Sequence, residues 1–251
     1  RVTYAYKDTY FAEVNVGYNG SENFARGHRF GFFPAAAIGW MMSNEKWFEP
    51  LTNTVDMLKL KGSYGKVGND DIGGQRRWVY ESSIVSGGSW NYGSDGGNGG
   101  GGIRIGEIEN LSASWEEALK LNVGIEFSLF RKLKVQADYF REERTGIFLQ
   151  RAGLPAIVGL STIPYVNVGE TLNQGIDANI EYSQQVGKVL LTARGNFTYN
   201  RNELVNNDEP DWQYKYQNRT GKPFGSNGAL QPFGLVALGL FQSQEEIDNS
   251  P

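Results

Sequence analysis

Between Leu119 and Leu129 every second residue is apolar: Leu119, Leu121, Val123, Ile125, Phe127 and Leu129 alternate with Lys120, Asn122, Gly124, Glu126 and Ser128. Phe130-Arg131-Lys132 separates this run from another, in which Leu133, Val135, Ala137 and Tyr139 alternate with Lys134, Gln136 and Asp138. Successive side chains on a strand point to opposite faces, so this period predicts a hairpin over residues 117–149 that is apolar on one face only. Strands of about 9–11 residues with one apolar face suit a membrane-spanning barrel, whereas strands in soluble proteins are nearer 5–6.

The same alternation predicts further strands. Val2, Tyr4 and Tyr6 end a first strand, and a turn at residues 7–9 leads into Tyr10, Ala12, Val14, Val16 and Tyr18. Phe30 to Met42 forms a third, with Pro34 implying an unpaired or bulged position. Leu58, Leu60 and Tyr64 mark a fourth. Beyond the opening hairpin come Ile176, Ala178, Ile180 and Tyr182, then a tight turn at residues 186–188. Val189, Leu191, Ala193, Phe197 and Tyr199 follow, and Phe233 to Gln242 reads as a last strand. A short strand pair near Trp78 to Val85 would fall inside one long connection.

Connections near residues 7–9, 49–56, 130–132 and 186–188 are short, while those near 20–28, 68–114, 150–164 and 206–231 are long. Strict alternation of this kind describes an up-and-down sheet whose two ends differ, as in outer-membrane barrels with short periplasmic turns and long extracellular loops. The first strand then descends, and the long loops face outside the cell. From Tyr10 to Tyr18 a strand runs roughly 27 Å, which a tilt of about 40° reduces to ~20 Å of membrane thickness. Tyrosines at its two ends fit two interfacial girdles. One-sided alternation also describes a soluble β-sandwich or propeller blade; strand length and loop asymmetry favour the barrel.

Composition changes this picture little. The chain has 251 residues, net charge -4, pI about 5.2 and mean hydropathy -0.45. No run of about 18 apolar residues exists, so no transmembrane helix is expected. That does not exclude barrel strands, whose apolar residues are spread over alternate positions. Glycine (33 residues) and 13% aromatic content without cysteine favour a turn-rich all-β chain lacking disulfides. Mild acidity and the absence of a Lys/Arg-rich run argue against a nucleic-acid surface. Opening at Arg1 in mid-pattern and closing at Asn249-Ser250-Pro251, the chain reads as an internal piece of a longer protein. A missing signal peptide therefore carries no weight.

Few residues suggest covalent chemistry. His28 is the sole histidine, and with no cysteine a transition-metal site is not expected; neither is a cofactor. Glu142-Glu143 and Glu245-Glu246 are adjacent, so on strands each pair would split across the two faces. Asp208, Glu209 and Asp211 match no calcium-loop spacing. The tract Gly96 to Gly102 lacks the Lys-Ser/Thr of a phosphate loop and is expected to be a flexible loop. Loop aromatics are better candidates: Trp78, Tyr80, Trp90, Tyr92, Trp212, Tyr214 and Tyr216 offer flat rings with polar tips for a sugar or peptide. Arg194, Asn196, Lys134, Gln136 and Asp138 are expected on a wet inner wall. Tyr10, Val14, Val16, Tyr18, Leu121, Val123, Ile125, Val135, Tyr139, Val189, Leu191 and Phe197 are expected to face lipid.

Several words of the sequence carry a resemblance. Arg29-Phe30-Gly31-Phe32-Phe33-Pro34 through Gly39-Trp40 resembles the R-x-G-x-F-P-S-x-S-x-G-W stretch of SusC/RagA-type TonB-dependent outer-membrane transporters. Leu58 to Asp70, with Gly68-Asn69-Asp70 at its end, is similar to the next strand of that family. Ser114-Trp115-Glu116, Leu121 to Phe127, Asp138-Tyr139-Phe140 and Arg144-Thr145-Gly146 continue the series. Asn167-Val168-Gly169, Asn173 to Asp177 and Gly239 to Ser243 complete it. Ala35 and Ala37 stand where the family has serine. The resemblance implies a 22-stranded barrel around a plug domain, in the outer membrane of a Gram-negative bacterium, with nine or ten of its strands here. It implies import of oligosaccharides or peptides, driven by the TonB complex through the plug, under a SusD-like surface lipoprotein acting as a lid. Plug, TonB-contacting segment and closing strand would lie outside these residues, and no enzyme activity is implied. A passive pore or surface-binding barrel, and a soluble carbohydrate-binding or hydrolytic sandwich, are the competing functions.

Overall fold

A computed structural model describes residues 1–73, 76–160, 162–223 and 239–248. Its strands are β1 (Val2–Tyr6), β2 (Tyr10–Gly20), β3 (Phe30–Met41), β4 (Val55–Asn69), β5 (Ile84–Tyr92) and β6 (Asn98–Ile105). They continue with β7 (Glu116–Leu129), β8 (Leu133–Gln150), β9 (Tyr165–Val186) and β10 (Val189–Asn206). Among the described residues, eight strands form one sheet in the order β1-β2-β3-β4-β7-β8-β9-β10, every pair antiparallel, while β5 and β6 form a separate pair. The architecture is an up-and-down barrel wall left unclosed, with β1 and β10 as its edges.

Register fixes the faces. Tyr6, Tyr10, Trp40, Leu60, Ile125, Ala137, Ala178 and Phe197 lie in one cross-strand row, and directly opposed residues share a face. The next row reads Ala5, Phe11, Gly39, Lys61, Gly124, Asp138, Asp177 and Thr198, on the other face. All the positions read as lipid-facing fall on the first face. Its side chains are uncovered: Val14 is 51% exposed, Ile38 69% and Phe197 61%.

The strands outrun their sequence signal, β4 having 15 residues, β8 18 and β9 22. Alternation fades on β9 beyond Ile176, where the apolar face carries Gln174, yet backbone pairing continues to Tyr165. Tight turns close β1–β2, β7–β8 and β9–β10 at the opposite end. There β3 and β4 are instead joined by residues 42–54 with two 3-10 turns, longer than the connection 21–29 on the other side, so the expected strict alternation of short and long connections does not hold. In Lys7-Asp8 and Phe130-Arg131 both residues have φ between 52° and 55°, and Thr9 and Lys132 donate to the carbonyls of Tyr6 and Leu129 at 3.0 Å. Two left-handed residues closed by that bond make type I′ turns, whose twist matches the strands. Pro34 pairs with Val16, but β3 and β4 part beyond Ala35 and Gly65, so its missing N–H lies past the last β3–β4 pair.

Four expectations are corrected. The strand pair in the long connection lies at β5 and β6, not near residues 78–85, and takes in Gly99 to Gly102, so this part of the glycine tract is strand rather than loop. A Cβ on Gly100 or Gly102 would fall 3.0–3.1 Å from the Trp90 ring, so the bare backbone makes room for it. Of the last strand, residues 233–238 lie outside the described residues, and 239–242 are not strand. Glu245 and Glu246 lie on the short helix α1 (Gln244–Asp248), where the Ser243 hydroxyl accepts from the Glu246 N–H at 3.2 Å. Glu142 and Glu143 do split across the sheet.

Buried packing concentrates at the long-loop end. Phe24, Ile72, Val79 and Ala113 form a cluster there against Trp115 and Phe148.

Candidate functional site

The polar face of the sheet carries the charge. Lys61 meets Glu126 at 2.9 Å and Asp138 at 3.0 Å, and Arg194 meets Glu181 at 2.8 Å. Gly124 stands between Lys61 and Asp138 in their row, and a methyl there would collide with both side chains. Glycine therefore lets the bridge cross the middle strand. Higher on the same face, the Glu142 carboxylate takes Lys120 at 3.1 Å and Arg144 at 2.8 Å; Arg144 also reaches Glu116 at 3.1 Å. The residues read as a wet wall, Lys134, Gln136, Asp138, Arg194 and Asn196, all lie on this face.

Beside that network is a groove lined by Asn173, Asn200, Asn202, Thr171 and Leu204, with Arg219 at its side. Asn173 sits directly between Glu142 and Asn202. Its Oδ1 is shielded from water and accepts no hydrogen bond among the described residues. Arg219 is held there by its loop: its backbone N–H donates to the Glu209 carboxylate at 2.8 and 2.9 Å. Asn173 opens one of the words that carry the family resemblance, but none of these asparagines was read from the sequence as a site residue. The available signal was Asn200 and Asn202 at alternate positions on the face opposite Phe197 and Tyr199.

The candidate aromatics are dispersed over three segments. Trp78 and Tyr80 lie in the loop after β4, where Arg29 donates to the Tyr80 hydroxyl at 3.4 Å and the Arg77 guanidinium lies 5.7 Å from the Trp78 ring. Trp90 and Tyr92 are on β5, and Trp212 and Tyr214 are exposed in the loop after β10. Tyr216 falls in the 3-10 turn Lys215–Gln217 of that loop. Elsewhere Tyr165 stacks on Phe148 at 5.6 Å with the Arg76 guanidinium 4.0 Å from its ring, closing the loops against β8 and β9.

At the short-turn end of the apolar face, Tyr10 and Trp40 stack 6.4 Å apart, and both donate to Glu45 Oε1. Trp47, 54% exposed, packs on Trp40 with centroids 6.4 Å apart. Amphipathic rings with satisfied polar tips in one row are the makings of an interfacial girdle.

Comparison with known proteins fits this sheet. The family model for the TonB dependent receptor-like β-barrel matches residues 2–240. The chain belongs to that family. TonB-dependent receptor P39 of Formosa agariphila is 30% identical over all of this chain and 23% of its own length. TonB-dependent receptor SusC of Bacteroides thetaiotaomicron is 23% identical over all of this chain and 25% of its own. A structure of the RagAB peptide importer in its 'closed-closed' state superposes with a TM-score of 0.66 at 25% identity, covering 81% of this chain and 21% of that one. The chain is thus part of a SusC/RagA-type TonB-dependent receptor barrel and spans about a quarter of the length of these curated relatives.

Within the receptor barrel, the family's sequence words have physical work. Trp115 packs on Phe24 and Phe33 at 5.8 and 5.2 Å and donates to the Arg29 carbonyl at 3.0 Å. Asn167 donates to the carbonyls of Ser114 and Gly146 at 2.8 and 2.7 Å and accepts from the Ser114 N–H at 3.0 Å. Gly146 has φ 67°, a conformation that suits glycine. A methyl on Gly31 or Gly68 would strike the Phe33 ring. These residues tie two long loops, 21–29 and 70–115, to the rim.

Proposed function

We propose that the chain is the wall of an outer-membrane importer, its apolar face in lipid and its polar face toward a water-filled lumen. The supporting observation is the slant of the apolar band. On β2 the band begins at Tyr10 and on β10 at Val189, both beside short turns. Across six strand steps, register carries Tyr10 to Phe197, eight residues beyond Val189. At about 3.3 Å per residue and ~4.8 Å per strand the band climbs roughly 26 Å over 29 Å, an angle of about 42° to the rows. A membrane plane cuts the rows at the strand tilt, and barrel strands tilt by about 35–45°.

The whole protein imports oligosaccharides or peptides, driven through a plug domain by the TonB complex, with a SusD-like lipoprotein over the long loops. No covalent chemistry is assigned to the wall. Family membership supports energised uptake, and the long loops, opposite the short turns, supply the surface for a lid. The test uses the full-length protein in a host lacking its own copy, grown on either a peptide digest or mixed oligosaccharides as sole nutrient. Uptake that depends on the receptor and stops on adding a protonophore is expected. Uptake that continues without proton-motive force makes the barrel a passive pore.

A further inference from the structure

We propose that the asparagine groove on the inner face of β9 and β10 is a subsite for the backbone of an extended peptide. This rests on the import reading and narrows it to one substrate class and one place.

Asn200, Asn202 and Leu204 alternate along the polar face of β10, so their side chains repeat every ~6.6 Å. Peptide groups on one side of an extended chain repeat at the same distance, so a peptide laid along β10 keeps register with them. An asparagine amide offers one acceptor oxygen and two N–H donors, the complement of a peptide group. Asn173, one strand over and opposite Asn202, adds an amide oxygen that is out of water and receives no donor among the described residues. An acceptor left so is costly, and a turn of the Asn173 amide toward the groove would let a peptide N–H relieve it.

Charge points the same way. Glu142 beside Asn173 is already engaged by Lys120 and Arg144, so the row presents amides rather than a free carboxylate. Ile147, Leu149 and Leu204 line the groove as well, giving apolar contact for side chains, and its described lining contains no aromatic ring for a sugar face. Height matters too. Arg141, Gln174 and Arg201 mark the loop-side edge of the apolar band on β8, β9 and β10, and the row of Glu142, Asn173 and Asn202 lies next to theirs. The groove thus lies just past the loop-side edge of the apolar band, with the ends of β8 and β9 rising beyond it toward the long loops.

The test uses the full-length receptor with its lid partner in detergent. The probes are a pool of uncharged peptides of about eight residues, the same pool with N-methylated backbones, and a maltooligosaccharide ladder. Retention is read by mass spectrometry, and resistance of the folded barrel to unfolding on unheated gels reports integrity. Asn200→Ala with Asn202→Ala is expected to weaken peptide retention roughly ten- to hundredfold, at three- to tenfold per lost hydrogen bond. Asn173→Leu is expected to weaken it three- to tenfold, and Arg201→Gln on the opposite face to leave it unchanged. N-methylation should weaken binding to the parent but add little in the double variant. Peptide retention unchanged in folded Asn variants overturns the subsite while leaving import intact. Loss of maltooligosaccharide instead of peptide overturns the substrate class, and a leaky resting barrel with undiminished peptide retention reassigns the groove to the plug. A parent that retains neither probe and imports neither nutrient defeats the underlying reading itself.

Discussion

Single side chains decide which face belongs to which solvent. Val14 is central to the apolar band of β2, so Val14→Arg is expected to cost about 2–4 kcal/mol in a bilayer. Leu191 sits two residues from the short-turn edge of β10, and Leu191→Arg should cost nearer 1 kcal/mol because charge near an interface stays hydrated. Asn15→Arg and Thr192→Arg, on the polar face, should cost under about 1 kcal/mol. Reversible unfolding of the full-length barrel in lipid vesicles measures all four, and equal losses on both faces contradict the assignment. A different logic governs Asn167, whose amide makes three hydrogen bonds to loop and rim. Asn167→Ala is expected to open residues 107–115 to protease at least tenfold faster while the barrel keeps its resistance to unfolding, because only rim contacts are lost.

Elements carry the next level of information. The turns at Lys7-Asp8 and Phe130-Arg131 place Lys7, Phe130 and Arg131 at φ near 54°, where each costs about 1 kcal/mol relative to glycine or asparagine, while Asp8 suits its position better. At the second turn the cost is offset: Phe130 donates to the Thr54 carbonyl at 2.9 Å and the Arg131 N–H to the Asp56 carboxylate, joining the turn to β4 and the residue before it. Replacing Phe130-Arg131 by Asn-Gly should stabilise the β7–β8 hairpin by about 1 kcal/mol and speed assembly into micelles, followed by the shift from unfolded to folded gel mobility. Gly187→Val, at φ 64° in the β9–β10 turn, should do the reverse. The long strands have another consequence. A 22-residue β9 runs roughly 70 Å, far more than an apolar band of ~25 Å requires even when tilted. Its surplus stands on the long-loop side, where the apolar face turns to Gln174 and Arg201.

As a whole, the sheet is a surface between two solvents rather than a core. Its apolar rows are exposed, as the proposed lipid contact requires, and such a face in water is an aggregation hazard. The edges β1 and β10, which pair with no further strand among the described residues, add to it, since lipid leaves no partner for open N–H and C=O groups. Residues 1–251 expressed alone are therefore expected to precipitate from buffer and to show no heat-modifiable gel shift after refolding in micelles. Among the described residues, 221 and 222 shelter one point of the β10 edge, through hydrogen bonds to Leu204 at 2.7 and 3.0 Å.

The period-2 pattern by itself determined the all-β class and the faces of eight wall strands, because a sheet with one apolar face carries apolar residues at every second position. It did not determine connection lengths, since residues 42–54 between β3 and β4, read as short, outnumber residues 21–29 between β2 and β3, read as long. It also carried the family, in words such as Ser114-Trp115-Glu116 and Asn167-Val168-Gly169. Strand ends on β4 and β9 were not legible, since backbone pairing continues where no apolar solvent imposes a pattern. The strand made from Gly99 to Gly102 was hidden for a related reason: its residues leave space for Trp90 rather than supply side chains. Only the tertiary structure placed Asn173 between Glu142 and Asn202, and set Gly124 beneath the bridge from Lys61 to Asp138. Those neighbours are far apart in the chain, and cross-strand register alone makes them meet.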